Sequence, residues 1–308
     1  MNILVEEIDK PCETINTKTS EFSPTDKPQI RLYQIWPGKN RFFFNGFIMI
    51  GPSSDTYICT FTWTFVILLE LSFQLFISPY LWLEVTPALP ILSGHLFVCS
   101  IIFMLLTALT DPGIIPRKHI FELTGTIPEI FSTEGPEKRR FCKTCQIYRP
   151  ERCSHCKVCD NCIEVFDHHC PFVSACIGKN NYRYFICMVV FLTLLGGVDI
   201  SGLILFFCRD FQNSHNGRDL IEDESILLSL ALVITVPIIL LTLLVMLLCI
   251  FHVRICMSGE TTKENLLKRE RGESDNRSVI CATPNAWFNG RMIIDADKTG
   301  ACKTESLV

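Results

Sequence analysis

Eight of the chain's seventeen cysteines stand between Cys142 and Cys176, with three histidines, His155, His168 and His169, among them. Cys142-x2-Cys145 and Cys156-x2-Cys159-x2-Cys162 carry the two-residue gap that lets two thiolates grip one tetrahedral ion from a tight turn. With His155, His169 and Cys176 they make eight ligands, enough for two closed tetrahedral Zn²⁺ sites. Two such ions would hold together a loop otherwise too polar to form a core. The remaining nine cysteines are scattered, mostly in apolar runs where Cys behaves as a small hydrophobe.

Six cysteines and two histidines consumed by metal leave Cys153, Asp167, His168 and Cys170. Three of these stand together in Asp167-His168-His169-Cys170. A free Cys close to a His with a carboxylate neighbour is the arrangement that makes a thiolate nucleophile: imidazole takes the thiol proton and the carboxylate orients the ring. By spacing alone the same residues read equally well as spare ligands or solvated loop residues.

Four long apolar runs flank this cluster, roughly Tyr57–Ser78, Ala88–Leu109, Phe185–Cys208 and Ser225–Phe251. Each reaches the ~20 residues a helix needs to cross ~30 Å of hydrocarbon. Surface helices of a soluble domain would show a polar face every turn, whereas Ile226–Val236 and Ile238–Phe251 carry no charge. The composition agrees: 308 residues, 48% hydrophobic, only 19% charged, mean hydropathy +0.30. A net charge of −4 excludes nucleic-acid binding through bulk charge. Glu70, Gln74, His95 and Asp199 fall at membrane depth, and the two carboxylates are expected to turn inward and find a hydroxyl or amide partner.

Basic residues set the orientation. The segment before the first run has six, the segment between the second and third has eleven, and the tail has nine. The turn between the first two runs has none, and the loop between the last two has only Arg209 and Arg218 against five acids. Both termini and the central segment are therefore expected to face the cytosol, where a disulfide framework is not expected. The start lacks an apolar signal region, Asn2 stands where N-myristoylation needs glycine, and the end has no prenylation box. The expected fold is an all-α polytopic membrane protein with four transmembrane helices and a cytosolic, zinc-stapled cysteine-rich domain between helices two and three. Its parts are an N-terminal arm (1–56), helices one and two (57–109), the central region (110–184, with the zinc domain from about 140), helices three and four (185–251) and a tail (252–308).

The motifs Cys142-x2-Cys145, Arg149-Pro150, Arg152-Cys153-Ser154-His155-Cys156 and Asp167-His168-His169-Cys170-Pro171 resemble the cysteine-rich domain of the DHHC protein S-acyltransferases. The likeness continues through Cys176-Ile177-Gly178, Asn181 and Phe185. Two outlying signatures agree, Asp111-Pro112-Gly113 and Thr261-Thr262-Lys263-Glu264. The stretches Arg31–Trp36 and Phe44-Asn45-Gly46 are similar to plant-type members. The resemblance implies an interleaved zinc pairing: Cys142, Cys145, His155 and Cys162 at one site, and Cys156, Cys159, His169 and Cys176 at the other. It implies Cys170 as nucleophile, His168 as base and Asp167 as its orienter, with Cys153 inert. The implied reaction is palmitoyl transfer: Cys170 takes a long-chain acyl group from an acyl-CoA such as palmitoyl-CoA and passes it to a cytosolic cysteine of a membrane-proximal protein. The expected setting is the lipid bilayer, with the endomembrane system (endoplasmic reticulum, Golgi or vesicles) chosen over the plasma membrane on general grounds. The segment Lys138-Arg139-Arg140 reads first as a solvated positive flank and second as a receiver of CoA phosphates.

The chain departs from the family pattern at Phe172, where Trp is usual, at Ser174-Ala175 in place of an Asn pair, and in the tail. There Asn285–Gly290 is at best a remnant of an aromatic element, and the rest, with Cys281 and Cys302, reads as disordered. None of these is a ligand or reactive group, so altered packing is expected at Phe172 and Ser174-Ala175. The alternative function is a catalytically weakened member acting as a zinc-stapled scaffold or partner-binding protein.

Overall fold

The computed structural model describes residues 29–124, 140–215, 224–271 and 293–295. Lys138 and Arg139, the acids Asp219, Glu222 and Asp223, and tail positions such as Cys281, Trp287 and Cys302 lie outside the described residues.

Strand β1 (Gln29–Arg31) leads through a 3-10 turn at Leu32–Ile35 into a hairpin of β2 (Arg41–Phe43) and β3 (Ile48–Ile50). A 3-10 turn at Ser53–Asp55 then opens helix α1 (Thr56–Ser72), which continues through a π-turn at Phe73–Ile77 into α2 (Ser78–Glu84). After α3 (Ala88–Leu109) come strand β4 (Ile114–Ile115) and α4 (Lys118–Thr124). The cysteine-rich region is three ribbons: β5 (Phe141–Cys142) with β6 (Ile147–Tyr148), β7 (Ser154–Cys156) with β8 (Asn161–Ile163), and β9 (His168–Cys170) with β10 (Ala175–Ile177). Strand β4 adds to the free edge of β8. Helices α5 (Tyr182–His215), α6 (Glu224–Ser258) and α7 (Thr262–Arg271) follow, and β11 (Ile293–Asp295) pairs antiparallel with β1. Among the described residues the chain is mostly helical, as expected, with short strands in the cysteine-rich region and ahead of α1.

Four stretches are long and apolar enough to cross a membrane: Ser53–Glu84, Ala88–Leu109, Tyr182–Gln212 and Leu227–Ser258. The second has the expected limits. The others run past the apolar residues, because a helix keeps its backbone hydrogen bonds as it leaves hydrocarbon and its polar ends remain good helix formers. The π-turn falls just before Pro79, which has no N–H to donate to the preceding turn, and the Ser78 N–H reaches back to Phe73 O.

Helix α5 packs between α3 and α6. Gly196 makes this approach possible, since a Cβ there would stand 2.0 Å from Thr242 Oγ1. Phe73, Ile77, Leu81, Leu203, Phe206, Ala231, Ile234 and Ile238 form the core at the end far from the cysteine-rich region. The fourth span is largely unburied and turns Leu240, Leu244 and Leu247 outward, as a lipid-facing helix does.

The membrane carboxylates turn inward. Ser93 Oγ stands between them, 2.6 Å from Asp199 Oδ1 and 3.0 Å from Glu70 Oε1, and Gln74 Nε2 donates to Glu70 Oε1 at 2.8 Å. One hydroxyl thus joins three helical segments, while His95 faces outward beside Cys99. Ser93→Ala is expected to cost about 1–3 kcal/mol, the range for stripping a partner from buried polar groups, read as a lowered thermal midpoint in detergent. Ser100→Ala, whose hydroxyl bonds only its own helix's Leu96 carbonyl, is the comparison and should move the midpoint far less. Equal shifts would sink the bridging role.

Candidate functional site

The cysteine-rich region brings its candidate ligands into two separate groups that could each hold a metal ion, Cys142, Cys145, His155 and Cys162 in one and Cys156, Cys159, His169 and Cys176 in the other. The interleaving follows from strand geometry, since successive side chains of a strand point to opposite faces. On β7, His155 goes to one group and its neighbour Cys156 to the other. The x2 turns carry left-handed residues just beyond them, Gln146 and Asp160, which fold each pair of thiols toward one point.

The donors fit a closed tetrahedral metal site. His155 Nδ1 lies 3.6, 3.4 and 3.8 Å from the sulfurs of Cys142, Cys145 and Cys162. His169 Nδ1 lies 3.4 and 3.5 Å from those of Cys159 and Cys176. The edges of a tetrahedron with metal–sulfur bonds near 2.3 Å and metal–nitrogen bonds near 2.0 Å are roughly 3.5 Å. Hydrogen bonding to Cys162 and burial push the Cys145 thiol well up, and Cys156 with Cys159 do the same to Cys176. A divalent cation is what allows such crowded thiols to ionise together.

Each ligand histidine turns its other nitrogen to a carboxylate. His155 Nε2 is 3.3 Å from Asp160, which also holds Arg117, and His169 Nε2 is 2.7 Å from Asp55 Oδ2. Neither acid belongs to the residues singled out from the sequence. Asp160 is adjacent to a ligand and is legible as a turn residue; Asp55 is 114 residues away from its histidine and left no local signal.

Strand β9 carries the remainder of the cluster. Its alternation puts His169 on the metal side and His168 and Cys170 on the other. Cys170 is buried against Met104, Val173, Phe185, Met188 and Val189, where α3 and α5 meet the cysteine-rich region. His168 Nδ1 is 2.6 Å from Asp167 Oδ2, and its ring meets Phe185 edge-on. Burial lowers the affinity of His168 for its proton, but Asp167 and Cys170 beside the ring outweigh it and raise its pKa to about 9. Burial also opposes ionisation of Asp167, and hydrogen bonds from His168 and Thr262 overcome it, leaving that carboxyl below its usual range. Cys153 is buried beside the first metal group, and Arg140 is exposed at its edge.

The outlying signatures have physical jobs. Thr262, opening α7, donates its backbone N–H to Asp167 Oδ1 and its hydroxyl to Oδ2, both at 2.7 Å. Glu264 receives a two-pronged contact from Arg152, with both distances 2.8 Å, and Lys263 reaches Ser154. Asp111 Oδ1 accepts the N–H groups of Gly113 and Ile114, turning the chain from α3 into β4; burial raises this carboxyl to about 6. Asn181 ties the start of α5 to Thr107 O and Cys176 O. His252 of α6, which the sequence reading missed, packs beside His168 and Phe185.

The departures from the family pattern that fall within the described residues differ in setting. Phe172 is more than half exposed. Ser174 has φ 49°, and its carbonyl meets Gly51 so closely that a Cβ there would come within 1.7 Å. Ala175 is buried opposite Cys170 in the β9–β10 register.

Comparison with known proteins agrees with this geometry. The family model described as DHHC palmitoyltransferase matches residues 135–269. The chain is 35% identical over 223 residues to palmitoyltransferase ZDHHC14 of Danio rerio, covering 63% of this chain and 43% of the relative. It is 36% identical over 215 residues to palmitoyltransferase ZDHHC14 of Homo sapiens, covering 60% and 43%. It is 38% identical over 193 residues to palmitoyltransferase ZDHHC18-B of Danio rerio, covering 56% and 49%. The chain thus spans less than half the length of these relatives. Residues 135–269, which match this family model, hold both candidate ligand groups and the Asp167–Cys170 motif.

Proposed function

We propose that this chain is a protein-cysteine S-acyltransferase that carries a long-chain acyl group from acyl-CoA to cysteines of membrane-proximal proteins through an S-acyl-Cys170 intermediate. The observation that carries the reading is the Asp167–His168 pair held at 2.6 Å on the strand that presents Cys170, inside a DHHC domain. The bundle lies in an endomembrane bilayer with both termini and the cysteine-rich domain on the cytosolic side, following the basic residues.

In the first half-reaction the Cys170 sulfur, its proton passed to His168, attacks the thioester carbonyl carbon. A carbon–sulfur bond forms to Cys170, the bond to CoA sulfur breaks, and CoA leaves as a thiol after taking the proton back from His168. In the second half His168 accepts the proton of the incoming protein thiol. That sulfur attacks the acyl-enzyme, and Cys170 is released and reprotonated. The apolar wall of Met104, Phe185, Met188 and Val189 suits the start of the acyl chain, with its length running between the helices. Cys142, Cys145, His155 and Cys162, and Cys156, Cys159, His169 and Cys176, would each hold one Zn²⁺, which would supply a cross-link for the ribbons and no group for the transfer.

The test is acyl incorporation from labelled palmitoyl-CoA into the purified, zinc-loaded chain and its Cys170→Ser variant. A hydroxylamine-sensitive label is expected in the wild type and none in the variant. If neither takes up label while both hold about two zincs, the chain is a scaffold and the enzyme reading fails.

A further inference from the structure

Asp55 occupies the N-cap of α1, where an aspartate ordinarily accepts a hydrogen bond from the first turn of its helix. Here the side chain makes no such cap. Its Oδ2 instead meets His169 Nε2 at 2.7 Å, both side chains nearly buried, while Ser54 supports Oδ1 at 2.9 Å. We infer that Asp55 is a positioning residue that holds the ring of His169 against its metal from the mouth of the first membrane span. The inference rests on the two-zinc reading above.

Three observations converge on this role. First, the segment before α1 grips the second metal group at several points. Lys39 N–H donates to Cys159 O at 2.9 Å, Asn161 Nδ2 donates to Asn40 Oδ1 at 2.6 Å, and Trp36 and Met49 pack against the buried cluster that contains Cys156, Cys159 and Cys176. Asp55 hydrogen-bonds the side chain of a candidate ligand from that segment. Second, the two metal groups are supported differently. His155 leans on Asp160, which belongs to its own ribbon, whereas His169 leans on a membrane helix. Third, His169 sits between His168 and Cys170. Strand alternation means that fixing the His169 ring on one face sets the roll of β9, and with it how His168 and Cys170 face the bundle on the other. A carboxylate on the remote nitrogen of a metal-bound histidine fixes tautomer and ring orientation. By this route the docking of the first span is coupled to the geometry of the nucleophile.

The deciding experiment follows zinc release from the detergent-purified full chain into excess chromophoric chelator. Asp55→Ser retains a good N-cap for α1 but is too short to reach His169. One of its two zincs is expected to leave about 10–100-fold faster, the usual effect of losing such a partner. Asp160→Asn should speed the other zinc, and the double variant both. Wild-type release of both zincs from Asp55→Ser overturns the inference and leaves Asp55 a helix-start residue only. If the serine variant does not fold, Asp55→Asn, of the same shape without the charge, is measured with the same two outcomes. A wild type that holds fewer than two zincs would instead sink the metal assignment on which the inference stands.

Discussion

His168→Ala is expected to leave a folded, zinc-loaded chain that forms the acyl-enzyme about 10²–10⁴-fold more slowly, the usual worth of a positioned general base. Metal should be retained because His168 belongs to neither four-ligand group. Asp167→Asn should act in the same direction, since the carboxylate both orients the ring through the 2.6 Å contact and raises its pKa. With the wild-type ring raised from 6.5 to about 9, it holds its proton through neutral pH and faces Cys170 as an imidazolium. Without Asp167 that protonation is lost at lower pH. Alkylation of Cys170 by iodoacetamide, followed against pH, should therefore weaken near neutrality in Asp167→Asn. The same shift has a sign for stability: the raised folded pKa stabilises the fold fully below pH 6.5, and this contribution is gone once the pH has passed about 9. Acyl uptake by His168→Ala within a few-fold of wild type would remove His168 from the chemistry.

Stripping both zincs is expected to unfold the cysteine-rich ribbons while leaving the membrane helices formed. Structural zinc contributes on the order of 10–16 kcal/mol in small metal-dependent folds. The three ribbons have two- and three-residue strands, and eight of their side chains are the ligands themselves. Their apolar clusters are small and built largely from those same cysteines, with Ile147 and Ile163 among them. Helices α3, α5 and α6 bury apolar surface against one another and need no metal. Limited proteolysis after chelation should cut between residues 140 and 180, with far-UV helical signal largely kept. Acyl uptake should vanish, because Cys170 lies on a strand whose partner carries the ligand Cys176. Protease resistance of that segment without zinc would show that the ribbons stand unaided.

The metal groups were legible in the sequence because their geometry is local. A two-residue gap is a tight turn, and a turn places two sulfurs on one ion whatever else the chain does. The interleaved assignment needed the family resemblance, since eight ligands can be divided in many ways; the alternation at His155 and Cys156 on β7 is what divides them in the structure. The spans were legible from hydropathy, but their ends were not. The helices continue at Tyr182 and Ser258 past the last apolar residues because backbone hydrogen bonding, not side-chain hydropathy, decides where a helix stops.

Sequence alone determined that this chain carries four bilayer-length runs, eight candidate metal ligands and a Cys–His–Asp remainder. Each of these is written in residues within a turn or a few turns of one another. Tertiary structure decided what holds them. Thr262 reaches Asp167 across 95 positions, Glu264 reaches Arg152 across 112 and Asp55 reaches His169 across 114. Each pair is brought together by packing of the segments that flank the spans onto the cysteine-rich ribbons, an outcome of burying long helices against one another. No periodicity along the chain encodes it, since an aspartate before a helix reads as a cap until the fold gives it a histidine.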